Sequence, residues 1–381
     1  MNRIRNIARW LHKVIGLFTA LVMTIVCLTA LPLAVRDELT LASEPWRMVD
    51  NPAKAKAEAP ASLLVQEAAR ATGWGKPSAL TMGPVGRAAQ ADYWQQEVTV
   101  HMDPHTARVL HVQRGRTGTQ RFLSWCMAGH KYLWLPHQIG RQVVGWSALL
   151  LVLVLLTGLV LWLPRRWNRT LLRNGLTLRA PWTMKRLTWQ LHNVMGFWFF
   201  LPLLSACLTG MVFALPWFSR GVYSLASGGR VMEDYTLPPS QSDSALPMAS
   251  VDALFEKVKG DSPDARQLYL VLPADSLQSY RVSVVHRMGS YLRQDNLFFD
   301  QRTLAELPAT SPWGGRWRDG TPADRLIHAT LDIHEGRILS WPGRLLMFLA
   351  SLFGATLPLT GFVLWLRRGR KPAIPVSRGS Q

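Results

Sequence analysis

Residues 14–35 read VIGLFTALVMTIVCLTALPLAV, a run without one charged side chain. A helix needs about 20 such residues to cross a hydrocarbon core of roughly 30 Å. A buried helix of a soluble protein at that length keeps a polar face, and this run has none. Three more runs share its character, at 143–163, 194–218 and 345–366, with Arg344 bordering the last. The sequence therefore predicts an α-helical membrane protein with four transmembrane helices. The first run is longer than the apolar core of a secretory leader, and no small-residue cleavage site follows before Pro32 and Arg36, so it reads as a span.

Outward from the runs, charge is distributed by segment. The chain carries a net charge of +19, which could suggest a nucleic-acid partner. The residues flanking and linking the runs on one side hold sixteen basic residues and no acidic one: Arg3, Arg5, Arg9 and Lys13; Arg165, Arg166, Arg169, Arg173, Arg179, Lys185 and Arg186; Arg367, Arg368, Arg370, Lys371 and Arg378. The two long segments 36–129 and 219–327 are nearly balanced, with 23 basic and 22 acidic residues. That is the positive-inside pattern, with both termini and the middle loop in the cytoplasm. The charge marks topology, and no nucleic acid is expected.

The expected order is a cytoplasmic N-terminus (1–13), span 1 (14–35), lobe 1 (36–129), span 2 with an outer extension (130–163) and a basic cytoplasmic loop (164–188). Span 3 (189–218), lobe 2 (219–327), span 4 with an outer extension (328–366) and a cytoplasmic tail (367–381) follow. The halves repeat. Leu11-His12 with Gly16 returns as Leu191-His192 with Gly196, and Cys27-Leu28-Thr29 as Cys207-Leu208-Thr209, at an offset of 180. Gly140-Arg141 and Thr157-Gly158 return as Gly343-Arg344 and Thr360-Gly361 at an offset of 203. Each half runs helix, lobe, helix, so the repeats are expected to be parallel, related by an axis along the membrane normal.

Each lobe reads as a small α+β unit. Residues 62–72 and 251–259 read as helices, and 94–102, 267–272, 279–286 and 294–299 as strands. Asp103-Pro104-His105-Thr106 is a turn, and Asp300-Gln301-Arg302-Thr303 resembles it. Residues 51–60 and 238–247 read as linkers. Of three cysteines, Cys27 and Cys207 fall inside spans and only Cys126 near the outer side, so no disulfide framework is available. Buried thiols of this kind are expected to pack as small apolar groups.

The histidines carry the chemical signal. His12 and His192 occupy equivalent places at the cytoplasmic ends of spans 1 and 3. His130 and His334 are near-equivalents at the outer ends of spans 2 and 4. Ionisable residues in spans are costly and point to function, and imidazole is a common axial ligand of haem. Two imidazoles facing each other can hold one iron, so the expected cofactor is two b-type haems. A lone histidine at a helix end is more often an interfacial residue; two repeated pairs are not accounted for that way. His137 and His328 are alternative outer ligands. Gly16 and Gly196 lie one turn beyond His12 and His192 on the same helix face, leaving room for a flat macrocycle or for close helix packing. Arg9 and Arg186 are placed to pair with haem propionates. No G-x-G-x-x-G, P-loop, C-x-x-C, C-x-x-C-H or H-E-x-x-H pattern occurs, so no nucleotide, flavin or covalent haem site is read.

These features together resemble the PepSY-associated transmembrane helix family. The most specific run is His334-Glu335-Gly336-Arg337-Ile338-Leu339-Ser340-Trp341-Pro342-Gly343-Arg344, followed by Thr360-Gly361 and Trp365. The length and layout are similar to those of bacterial inner-membrane siderophore reductases. The resemblance implies PepSY-like periplasmic lobes and a di-haem protein that reduces ferric siderophores in the periplasm. Its electron donor would be a cytoplasmic reductase or quinol. Two other readings are a siderophore permease, which would need a polar path through the midplane, and a haem-free regulatory protein whose lobes bind peptide.

Overall fold

The computed structural model describes residues 2–49, 57–164, 168–240 and 247–368. Most of the linker 51–60, Arg165 and Arg166 of the basic loop, residues 241–246 of the second linker and the tail after 368 lie outside the described residues. In chain order the helices are α1 (Asn2–Ala34), α2 (Arg36–Ser43), α3 (Ala61–Thr72), α4 (Gly118–Tyr132), α5 (His137–Trp162), α6 (Arg169–Leu176), α7 (Met184–Trp198), α8 (Phe200–Ala214), α9 (Pro216–Ser227), α10 (Val251–Asp261), α11 (Pro322–His334) and α12 (Ser340–Arg368). The strands are β1 (Ala79–Met82), β2 (Ala89–Tyr93), β3 (Val98–Met102), β4 (Val109–Arg114), β5 (Gln267–Val271), β6 (Tyr280–Val285), β7 (Gln294–Phe299) and β8 (Glu306–Leu307). The chain divides into a helical unit, formed by the described parts of Met1–Ala34, Trp125–Leu215 and Trp341–Gln381, and a second unit, Val35–Ser124 with Pro216–Ser340.

In the helical unit, α1, α5 and α12 are long and apolar enough to cross a membrane. A fourth crossing exists if α7 and α8 count as one span, but these two helices are bent by 64° at Phe199. The third apolar run is therefore not one straight helix. Pro202 has no N–H to give the carbonyl of Trp198, and its ring crowds that carbonyl, which is how proline breaks a helix. The equivalent residue of the first half is Val22, and α1 runs unbroken there. The run also stops short of Phe218. Leu215 is extended (φ −117°, ψ 101°), as a residue before proline prefers, and Pro216 opens α9.

The segments read as outer extensions of spans 2 and 4 are separate helices. Leu133 and Trp134 take positive φ between α4 and α5. The chain doubles back so tightly that a Cβ on Gly140 would lie 2.1 Å from the Tyr132 carbonyl oxygen, so only glycine fits. At the other end, α11 stops at His334 and Gly336 (φ 73°) turns the chain before α12, as a left-handed glycine past a helix end does.

α5 packs against α1 and α8. The repeated Gly-Arg pairs cap helix ends. Arg141 donates to the Phe213 and Ala214 carbonyls that close α8, at 3.1 and 3.0 Å. Arg344 donates to the Ala34 carbonyl that closes α1, at 2.9 Å. A helix end leaves its last carbonyls without partners, and that is expensive where water is scarce. Cys207 is buried with Leu155, Phe199, Leu203 and Ala350, and Cys27 with Met23 and Ala355.

The second unit holds one antiparallel sheet in the order β4-β3-β2-β1-β5-β6-β7-β8. The two α+β segments are thus not separate sheets. They join through β1 and β5, paired from Ala79↔Val271 to Met82↔Leu268. Strand alternation gives the sheet two unlike faces. On one face Leu80, Ala91, Val100, Leu270, Val282 and Leu297 form a core with Leu64 and Ala68 of α3 and Leu254 and Val258 of α10. Ser62 ties the two helices by donating to the Asp252 carboxylate at 2.8 and 2.5 Å. On the other face a polar row runs across seven strands: His111, His101, Gln90, Thr81, Tyr269, Ser283 and Asn296.

The two turns quoted from the sequence have one geometry. Asp103 Oδ1 accepts from the amides of His105 and Thr106, and Asp300 Oδ1 from those of Arg302 and Thr303. Each turn then places a left-handed residue, Ala107 or Leu304. An aspartate that bonds the backbone two residues on is what makes such turns.

Candidate cofactor site

Residues of five helices of the helical unit line one cavity of about 980 Å³, Phe200 and Leu203 of α8 among them. α1 contributes Arg5, Arg9, His12, Gly16, Ala20, Met23 and Cys27, spaced three or four apart as one helix face requires. α7 contributes Trp189, His192, Gly196 and Phe197; α5 contributes Val154, Gly158 and Trp162; and α12 contributes Leu357, Gly361 and Trp365. Among the described residues no acidic one lines it, while Arg5, Arg9 and Lys13 do.

His12 and His192 meet here, their ring centres 6.1 Å apart and their planes at 86°. Both are held in the same way. His12 Nδ1 lies 2.9 Å from the Val154 carbonyl oxygen and 3.3 Å from Thr157 Oγ1. His192 Nδ1 lies 3.1 Å from the Leu357 carbonyl oxygen and 3.1 Å from Thr360 Oγ1. A carbonyl oxygen only accepts, so Nδ1 carries the proton in each ring and the ligating lone pair is on Nε2. A carbonyl accepting from Nδ1–H in this way fixes the orientation of each ring, as it does for metal-binding histidines. The glycine after each threonine makes room for the ring. A Cβ on Gly158 would stand 3.0 Å from His12 Cε1, and one on Gly361 would stand 3.1 Å from His192 Cε1.

The spacing suits an iron between two imidazoles. Metal–nitrogen bonds of about 2.0 Å to the two Nε2 atoms would be compatible with that ring-centre distance. Gly16 and Gly196 line the cavity on the same helices, and an added Cβ would make only ordinary contact, with Val154 at 3.8 Å and Leu357 at 3.7 Å. The residues present fit a haem: two tautomerically fixed imidazoles, an apolar and aromatic wall, and cations at one end for carboxylates.

Of the expected site residues, His12, His192, Gly16, Gly196 and Arg9 come together. Arg186 does not line the cavity; it sits in the first turn of α7, where its amide donates to the Thr183 side chain at 3.3 Å. Arg5 and Lys13 line it instead, and Arg5 also donates to the Leu161 and Leu163 carbonyls that end α5, at 2.8 Å each. Thr157, Gly158, Thr360 and Gly361 are the functional residues the histidine-centred reading missed. Their repetition at an offset of 203 was the available signal.

The outer histidines are placed differently. His130 is on α4, and its Nδ1 lies 3.0 Å from the Val26 carbonyl oxygen, the same mode of anchoring. His334 closes α11 and belongs to the other unit. His137 opens α5 with its ring 4.5 Å from that of Tyr132, and His328 Nε2 lies 2.5 Å from the Pro312 carbonyl oxygen. The motif Glu335-Gly336-Arg337 is an ion-pair knot. Glu335 receives Arg36 at 2.9 Å and Arg337 at 2.5 Å, and Arg337 also reaches Asp37 at 2.9 Å.

Apolar spans with a histidine-bearing cavity among them, together with an α+β sheet unit, define a membrane protein. The chain belongs to the PepSY-associated TM region family, which matches residues 9–368. No curated protein matches it.

Proposed function

We propose that this protein is a di-haem transmembrane electron carrier of the bacterial inner membrane that reduces ferric siderophores in the periplasm and so releases ferrous iron. The observation that carries this reading is the His12–His192 pair, 6.1 Å between ring centres, with both Nδ1 atoms committed to carbonyls. His12 and His192 would hold the haem iron, and Arg5, Arg9 and Lys13 would receive the propionates. A haem held there supplies a one-electron Fe³⁺/Fe²⁺ couple. His130, held at Nδ1 by the Val26 carbonyl as His12 and His192 are held by theirs, is the proposed ligand of the second haem. The positive-inside charge pattern supports two parallel repeats with both termini cytoplasmic and the sheet unit periplasmic.

The chemistry of the substrate fits the purpose. Siderophores hold hard ferric iron through oxygen donors. Ferrous iron carries less charge and binds such donors less strongly, so one electron loosens the chelate without proton transfer by the protein. The donor is proposed to be a cytoplasmic reductase or the quinol pool, since no nucleotide or flavin motif occurs in the chain.

The break between α7 and α8 favours a second reading, a permease, because discontinuous helices build transporter sites. At the break, however, Phe199 stacks on Phe353 at 4.9 Å within an apolar cluster, which offers no polar path. The test is to reduce the purified protein, add a ferric siderophore and trap Fe²⁺ with a ferrous chelator. Reoxidation with stoichiometric trapping is expected. A protein that stays reduced with every ferric chelate but is reoxidised by quinone would replace siderophore reduction with a quinone-linked role.

A further inference from the structure

The polar face of the sheet carries a second pocket, of about 420 Å³, lined by Tyr235, Arg281, Ser283, Asn296 and Trp313. Arg281 and Ser283 are alternate residues of β6, and Asn296 is the partner of Ser283 on β7, so all three stand on the face away from α3 and α10. Gly315 pairs with the backbone of Asn296, bringing the turn that bears Trp313 over the strand end.

Its hydrogen-bonding capacity is one-sided. Asn296 Oδ1 already accepts from Ser283 Oγ at 2.9 Å and Gln294 Nε2 at 3.1 Å, so Asn296 turns its NH₂ outward as a donor. The Tyr235 hydroxyl accepts from Arg281 Nη1 at 3.4 Å. The Trp313 indole N–H is spent on the Glu233 carbonyl at 2.9 Å, which fixes the ring as a wall. Among the described residues no acidic one lines the pocket. Nearby carboxylates have other partners: Asp234 pairs with Arg220 at 3.3 Å and Glu306 with Arg316 at 2.8 Å. Arg281 makes no ion pair among the described residues.

A guanidinium without a carboxylate, an outward amide and two aromatic rings define the complement of a flat anion. Guanidinium binds planar oxyanions through paired N–H groups, and aromatic faces stack on flat rings. We propose that this pocket binds a ring-bearing oxyanion of the aromatic carboxylate or catecholate type, with Arg281 on the anionic oxygens and Tyr235 and Trp313 against the ring. Applied to ferric chelates, the pocket selects those whose iron-binding groups are anionic rings over cationic or neutral hydroxamates. That extension rests on the reductase reading; the binding itself does not.

The test uses the full chain in lipid nanodiscs, with empty nanodiscs as blank, and benzoate as the probe followed by saturation-transfer NMR. Benzoate is expected to bind saturably, and the neutral isostere benzamide about tenfold or more weaker, as the loss of one charge-assisted hydrogen bond implies. Arg281→Gln should erase that preference, and Trp313→Leu should weaken both ligands. Equal binding of benzoate and benzamide to the unaltered chain, or an undiminished preference in Arg281→Gln, overturns the proposal. The first comparison needs no variant, so it stands if a variant fails to fold. The haem absorbance of the same sample is read in parallel. Benzoate selectivity without haem keeps the pocket and removes the reductase reading, and haem without selectivity does the reverse.

Discussion

Gly158→Ala places a methyl group where the edge of the His12 imidazole now lies. The added carbon would stand 3.0 Å from His12 Cε1 and 3.4 Å from Nδ1. Carbon contacts are comfortable at about 3.5–4.0 Å, so the ring must withdraw by roughly half an ångström. Its Nδ1 bond to the Val154 carbonyl, now 2.9 Å, is then stretched to the limit or lost. One such bond is worth about 1 kcal/mol. Haem affinity at this site should fall about fivefold to tenfold. Gly361→Ala should do the same through His192, at 3.1 Å. Gly16→Ala meets only Val154 at 3.8 Å and should leave the helices' packing unchanged. The assay is a haemin titration of protein produced under haem limitation, with the pyridine haemochrome as stoichiometric check. Wild-type affinity and spectrum in both Gly158→Ala and Gly361→Ala would refute the clamp.

His101 is fully buried, and burial first, then the charge of Arg47, push its pKa down to about 4. It stays neutral in the fold but protonates near 6.5 in the unfolded chain. The fold therefore loses stability as pH falls from about 6.5 to 4, by roughly 3 kcal/mol at 1.36 kcal/mol per unit. Thermal melts at pH 8 and pH 5 should show about 2 kcal/mol of that loss in the wild type and a smaller one in His101→Gln; equal losses would contradict it. Arg337→Met should destabilise the sheet unit on the order of 2 kcal/mol, below the range for fully buried pairs because Asp37 is half exposed, and a melt unchanged from wild type would count against the ion-pair knot. Cysteine placed at exposed Ser276 should react with an impermeant reagent on spheroplasts, and cysteine at exposed Lys185 should not; the reverse would invert the proposed topology.

The parts of the fold legible in the sequence were those set by local composition. The apolar runs stood out because a membrane helix needs no partner to reveal itself, and His12 and His192 could be aligned because their flanks repeat. The break at Phe199 was also written there, in Pro202 opposite Val22, but apolar counting does not register a missing N–H. β1 and β2 were not read as strands, since ALTM and AQADY are rich in alanine and owe their form to neighbouring strands. The joining of the two α+β segments through β1 and β5 is a long-range pairing with no local signature. Arg186 was chosen by its level along the helix, whereas membership of the cavity is decided by angular position around it, which admits Arg5 and Lys13 instead.

The central claim is that His12 and His192 hold a haem, and the optical spectrum of the purified chain tests it most directly. The protein from haem-replete cells should be red, with a Soret band and low-spin b-type α and β bands after dithionite. His12→Ala or His192→Ala should remove one of two haems and leave the other. A colourless preparation, or a full haem complement in both variants, would contradict the account.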